Sequence, residues 1–141
     1  MADSGEEPIS LVLFSGTDDR LTAAAVLAAG AAALGRPVKI FLQYWALDAF
    51  RAAKIAEPRP LAPEAGAAGA AAVERMRAAG QQPWVETLRQ AKDIGEVDIQ
   101  ACSLSMDLLG LAAEELDPIV DGVEGVAAFY VNAGDGQVVF I

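Results

Sequence analysis

The chain has 141 residues, 54% of them hydrophobic, and a mean hydropathy of +0.33, which fits one domain with a real core and excludes a disordered chain. Its formal net charge of -10 and pI near 4.3 oppose binding to a phosphate backbone, so nucleic acid is not an expected partner. The absence of histidine and the single cysteine, Cys102, exclude histidine-based nucleophile pairs, internal disulfides and multi-cysteine metal sites; no cofactor is expected.

Residues 1–8 include Asp3, Glu6 and Glu7 and lack the basic start and apolar run of a signal peptide. They are expected to be a disordered tail on a cytoplasmic protein, ahead of one domain over 9–141. Residues 9–14 are an apolar run closed by Ser15-Gly16-Thr17-Asp18, the pattern of a buried strand entering a turn. Alanine and leucine dominate 18–34, with Thr17 or Asp18 as cap and Gly35 then Pro37 as stop, which predicts a helix. At 21–35 this stretch is interrupted by Thr22 and flanked by Arg20 and Arg36, short of the roughly 20 apolar residues of a bilayer span. Residues 38–43 read as a second strand and 44–53 as a short helix containing Trp45 and Phe50.

Pro58, Pro60 and Pro63 and an alanine-glycine run then break the rhythm. Residues 57–80 read as a flexible insertion ending in a weak helix near 70–79. Pro83 sits at a helix start, and 84–92 carries Trp84, Val85, Leu88 and Ala91 on one face before Gly95 ends it. Residues 97–101 are a third strand that Cys102 follows directly. A short helix to about Leu111 has Ser103 and Ser105 as candidate caps. Ile119-Val120 reads as a minimal fourth strand, 123–133 as the last helix and 137–141 as the final strand. Strands alternating with helices predict a parallel sheet covered on both faces.

Charge divides along this order. All ten Lys and Arg lie at or before Lys92, balanced there by ten acids, and the other ten acids occupy 93–141 without a base. Such a run is ordinarily a solvated acidic face; the sharper reading is a docking surface for a basic partner.

In a parallel α/β sheet, ligands bind outside the carboxyl ends of the strands. Two features fall there: the turn Ser15-Gly16-Thr17 and Cys102. A thiol at a helix N-terminus meets the positive end of the helix dipole, which favours the nucleophilic thiolate without histidine; against this, free cysteine often serves as a small buried hydrophobe. The Ser15-Gly16-Thr17 turn fits neither GxxxxGK[ST] nor GxGxxG, so it reads as a connection rather than a phosphate cradle. Asp18 and Asp19 do not make a phosphate-accepting receiver domain, because the third strand ends in Cys102 rather than aspartate.

Phe14-Ser15-Gly16 with Asp18 or Asp19, the alanine-rich helix, Val38-Lys39-Ile40-Phe41, Tyr44-Trp45, the run from Ala101-Cys102-Ser103 to Leu109-Gly110 and the closing Val138-Val139-Phe140-Ile141 resemble the DsrE/DsrF-like family, in particular its stand-alone DsrE-like branch. The resemblance spans nearly the whole chain except 58–80, and Cys-x-x-Ser-x-x-x-x-Gly is its most specific part. It implies a three-layer α/β/α sandwich, flavodoxin-like, with a mainly parallel sheet of about five strands, and homo- or hetero-oligomers; together with the large apolar fraction and the two tryptophans it predicts a homo-oligomer here, a trimer or a dimer of dimers. It also implies that Cys102 carries sulfur as a persulfide between rhodanese-like or TusA-like donor and acceptor proteins. Ser15, Gly16, Thr17, Trp45, Ser103, Ser105 and Met106 are the candidate binding residues around that thiol. The additional cysteines and membrane-associated segments of some relatives are missing here.

The leading function is therefore a sulfur-relay protein, sulfurtransferase-like when active, with no membrane span. The alternative is a non-catalytic α/β binding or scaffold subunit with a silent Cys102. A thiol peroxidase is disfavoured, because no second cysteine can resolve the oxidised thiol.

Overall fold

Short runs of Val, Ile, Leu and Phe set between turns have no helical period and fill a sheet buried on both faces. The computed structural model describes residues 7–141; the expected tail over 1–8 lies outside them except for its last two residues. The chain runs β1 Ile9–Leu13, α1 Asp18–Ala33, β2 Val38–Leu42, α2 Tyr44–Ala49, α3 Ala68–Ala78, α4 Trp84–Ile94, β3 Val97–Cys102, α5 Ser103–Leu109, β4 Gly122–Glu124, α6 Val126–Ala133 and β5 Val138–Phe140. The five strands form one sheet in the order β4-β3-β2-β1-β5, every pair parallel. This is the three-layer α/β sandwich that the alternation of elements predicts.

The two faces are unequal. On one, Leu11, Leu13, Ile40, Leu42 and Ile99 are fully buried together with Ala24, Ala25 and Ala28 of α1 and Leu88 and Ala91 of α4. Alanine lets α1 come close: a Cβ on Gly95, just past α4, would stand 2.8 Å from the Ala32 Cβ. Each fully buried leucine or isoleucine here contributes about 1.5–3 kcal/mol. The other face carries a small cluster of Val12, Phe41, Cys102, Phe129 and Ala133, in which α6 is the one contributing helix. Phe41 and Phe129 stack at 4.7 Å with planes 12° apart, a contact worth about 0.5–1.5 kcal/mol beyond its area.

Several boundaries differ from the sequence reading, and each has a cause in backbone pairing. The helix expected over 44–53 stops at Ala49, because the next backbone groups pair elsewhere: Phe50 O accepts from Asp117 N at 2.9 Å and Ala52 N donates to Glu115 O at 2.9 Å. The strand expected at Ile119-Val120 is instead a turn. Asp117 Oδ1 accepts from Ile119 N at 2.9 Å and Asp117 O from Val120 N at 3.0 Å, while the Ile119 side chain plugs the core. Pairing with β3 starts at Asp121, whose N–H donates to Ile99 O at 2.7 Å and whose carboxylate accepts from Ile99 N at 2.8 Å. The fourth strand is thus Gly122–Glu124, and the last helix begins at Val126 rather than at 123. Nor do the expected caps act through their side chains. Thr17 is the N-cap of α1 but its hydroxyl lies 3.2 Å from Ser15 Oγ, and the N-cap of α5 is Cys102 rather than a serine. No helix among the described residues is long and apolar enough to cross a membrane.

Candidate functional site

Strands β1, β2 and β3 send the chain onward into helices on the larger core face, where α1, α2, α4 and Met106 of α5 pack. Strand β4 sends it to α6 on the opposite face. Neighbouring strands whose following helices lie on opposite faces define a topological switch point, the usual place for a ligand in an open α/β sheet. Here the switch lies between β3 and β4, where Cys102 pairs in register with Glu124. Cys102 is also the N-cap of α5. Cys102 is 1% exposed and belongs to the buried cluster it forms with Val12, Phe41, Phe129 and Ala133 between the sheet and α6. Glu124 is tied to the same helix, accepting a hydrogen bond from Asn132 Nδ2 at 3.1 Å.

Around the thiol, the α5 candidates point different ways. Ser103 is half-buried beside the β4–α6 turn, where a Cβ on Gly125 would stand 3.8 Å from its Oγ. Ser105 is fully buried and its hydroxyl has no hydrogen-bond partner among the described residues. Met106 is buried in the larger core.

The turn after β1 makes a second group. Gln43 N donates to Leu13 O at 2.9 Å and Ala46 N to Phe14 O at 3.1 Å, which draws the start of α2 onto this turn. Gly16 is needed for that approach, since a Cβ there would lie 2.4 Å from Trp45 O. Tyr44 takes φ +43° in the same tight connection, unfavourable for a bulky aromatic residue. Ser15 is buried, and its Oγ accepts from Thr17 N at 3.4 Å and Arg20 Nη1 at 3.5 Å. The Ser15 N–H is spent on Ile141 O at 3.2 Å, so the turn is a connection whose groups are largely used internally. Trp45 is 54% exposed, and rings step across the edge from Phe140 through Phe14 to Tyr44, at 5.8 and 5.2 Å.

Gly16 and Trp45 are thus brought together, as are Cys102 and Ser103, but no hydrogen bond joins the two groups among the described residues. Among the described residues, no Lys or Arg hydrogen-bonds the thiol. Arg51, Lys54 and Arg59 lie 3.1, 3.6 and 3.5 Å from Asp48, and Arg20 pairs with Glu64. Burial works against ionisation of Asp48, but the Arg51 hydrogen bond and the charges of Lys54, Arg59 and Arg51 outweigh it and hold the carboxyl below its ordinary range. Sequence reasoning missed Glu124, Phe129 and Arg59. The first two reach Cys102 through strand register and a crossover, which leave no local signal. Arg59, whose Nε donates to Gly16 O, sits in the stretch read as a flexible insertion.

Comparison with known proteins agrees with this architecture. The sequence profile of the DsrE/DsrF/DrsH-like family matches residues 5–75 and 62–141. The uncharacterized protein YrkE of Bacillus subtilis (strain 168) is 32% identical over 151 aligned positions, which cover 92% of each chain.

Proposed function

Because the chain belongs to the DsrE/DsrF/DrsH-like family, we propose that it is a sulfur-relay protein in which Cys102 holds sulfane sulfur as a persulfide. The observation that carries this reading is the position of the one thiol, at the end of β3 and the head of α5, on the switch point of the sheet. The thiolate attacks the outer sulfur of a donor persulfide, a new S–S bond forms at Cys102, the donor S–S bond breaks and the donor leaves as a thiolate. An acceptor thiolate then takes the sulfur by the same exchange and regenerates Cys102. With no second cysteine in the chain, no internal disulfide can expel the sulfur.

Cys102 is buried in the cluster beneath α6, so loading in this reading requires α6 to lift. The short helix lies between Gly125 and Gly134. Its outer side exposes Tyr130 and Val131, and Phe140 of edge strand β5 is also exposed. A helix apolar on both sides calls for a partner. We assign that surface to association with further copies of the chain and to the donor and acceptor proteins, rhodanese-like or TusA-like carriers, that meet the thiol. Ser103 and the Ser15-Gly16-Thr17 and Trp45 edge form the rim over which they dock. The cytoplasm, which keeps single thiols reduced, is the compartment this chemistry suits.

A second reading is favoured by the burial of Cys102 itself: a scaffold subunit in which the sulfur is a silent core atom. Intact mass after treatment with a sulfane-sulfur donor, run beside Cys102→Ala, separates the two.

A further inference from the structure

Helix α3 touches the domain at Gly69, its one buried residue, where a Cβ would meet Leu61 Cδ1 at 2.7 Å. Its following turns stand away from α4. Beneath them lies a cavity of about 1050 Å³ at the carboxyl edge of the sheet, separate from the Cys102 cluster. That is ample for a small organic ligand. Leu61, Val73, Met76, Trp84 and Val85 give it apolar walls, and Asp18 and Thr22 of α1 line it as well.

Its charges are unevenly satisfied. Each guanidinium lining it lies against a carboxylate: Arg59 against Asp48, which Arg51 and Lys54 share, Arg77 against Glu74, and Arg89 against Glu86. The side chains of Asp18 and Glu57, which also line it, have neither an ion pair nor a hydrogen bond among the described residues. Burial, aided by the neighbouring Asp19 carboxylate, pushes the Asp18 carboxyl up, as happens to an acid that lacks its counter-ion. The N-termini of α1 and α4 would draw an anion, but Asp18, Asp19 and Glu86 already fill their first turns.

We propose that this cavity binds a small organic cation, an ammonium or amidinium group on an aromatic or aliphatic body, with the cation against Asp18 and the body between Trp84, Leu61 and Met76. The test uses the full chain carrying Trp45→Phe, so that Trp84 alone reports, titrated with 2-phenylethylammonium, with 3-phenylpropionate of the same shape and opposite charge, and with neutral 2-phenylethanol. The expected result is a saturable change in Trp84 emission with the cation, at least tenfold weaker binding of the anion and the alcohol, and at least tenfold weaker cation binding after Asp18→Asn. Ala70→Phe, which fills the cavity without adding a second indole, abolishes the response. Equal affinity for the three probes, no saturable response to the cation, or an unchanged affinity in a folded Asp18→Asn protein overturns the proposal. The first and second outcomes need only the parent protein.

Discussion

Cys102 and Glu124 face each other in register across the carboxyl ends of β3 and β4, and the chain leaves these two residues toward opposite faces of the sheet. The thiol therefore sits where a crevice would open if α6 moved, and in the structure it is buried in one cluster with Phe129 of that helix. Burial of the sulfur and its position at the switch point are two results of one topological choice.

Removing the cover exposes the sulfur. Phe129→Ala deletes the ring stacked on Phe41 and costs about 3–5 kcal/mol, as for other buried aromatic truncations. Alkylation of Cys102 in the native protein is expected to be at least tenfold faster in this variant than in the parent, by mass spectrometry over time. An unchanged rate in a folded variant means that α6 does not control access.

Gly16→Ala tests the joint between the β1 turn and α2. The added methyl group meets Trp45 O and the Arg59 guanidinium, and overpacking of this kind costs about 1–3 kcal/mol. A lowered urea midpoint with an unchanged m value is expected; no loss of stability means that the close approach is absent in solution.

Acid stability is set by carboxylates held ionised. Burial opposes ionisation of Asp98, but hydrogen bonds from Lys39 and Gln100 and the charges of Lys39 and Lys92 outweigh it and lower its pKa; Asp48 is lowered by its own cations. A folded-state pKa below the unfolded value of about 3.9 gives stability that is present above that pH and is lost as the pH falls through the folded value. Thermal melts of Asp98→Asn are therefore expected to lie below those of the parent at neutral pH and to converge with them at the acid end. A constant gap across the pH range contradicts this. Asp18, raised by burial and by Asp19, has the opposite sign: its penalty grows as the pH rises through its folded pKa, and Asp18→Asn is expected to raise the melting temperature at neutral pH.

The outer side of α6 is tested by Val131→Glu, at a residue 79% exposed. Light scattering at micromolar concentration is expected to report an oligomer for the parent and a smaller species for the variant, with the same circular dichroism. A parent that is monomeric shows that this face of α6 does not join copies of the chain.

Most of the sheet was legible because its strands are short apolar runs with glycine, proline and acidic turns at their ends; Ile9–Leu13, Val38–Leu42 and Val97–Cys102 lie where the residue pattern puts them. Gly122–Glu124 was not legible. A strand of glycine, valine and glutamate has no pattern of its own, and its place is set by Asp121 hydrogen-bonding both backbone groups of Ile99. The same limit applies to the site. Cys102 stands out as the sole cysteine at a strand-to-helix junction, but its cover and its carboxylate neighbour come from residues more than 20 positions away, joined to it by register alone.

Whether Cys102 accepts sulfane sulfur is decided by intact mass spectrometry after incubation with a glutathione persulfide donor. The parent chain is expected to gain the mass of one sulfur atom that a reductant removes, Cys102→Ala to gain none, and Phe129→Ala to load faster than the parent. Equal gain in the parent and Cys102→Ala, or no gain in the parent and in Phe129→Ala alike, contradicts a sulfur-carrying role for Cys102.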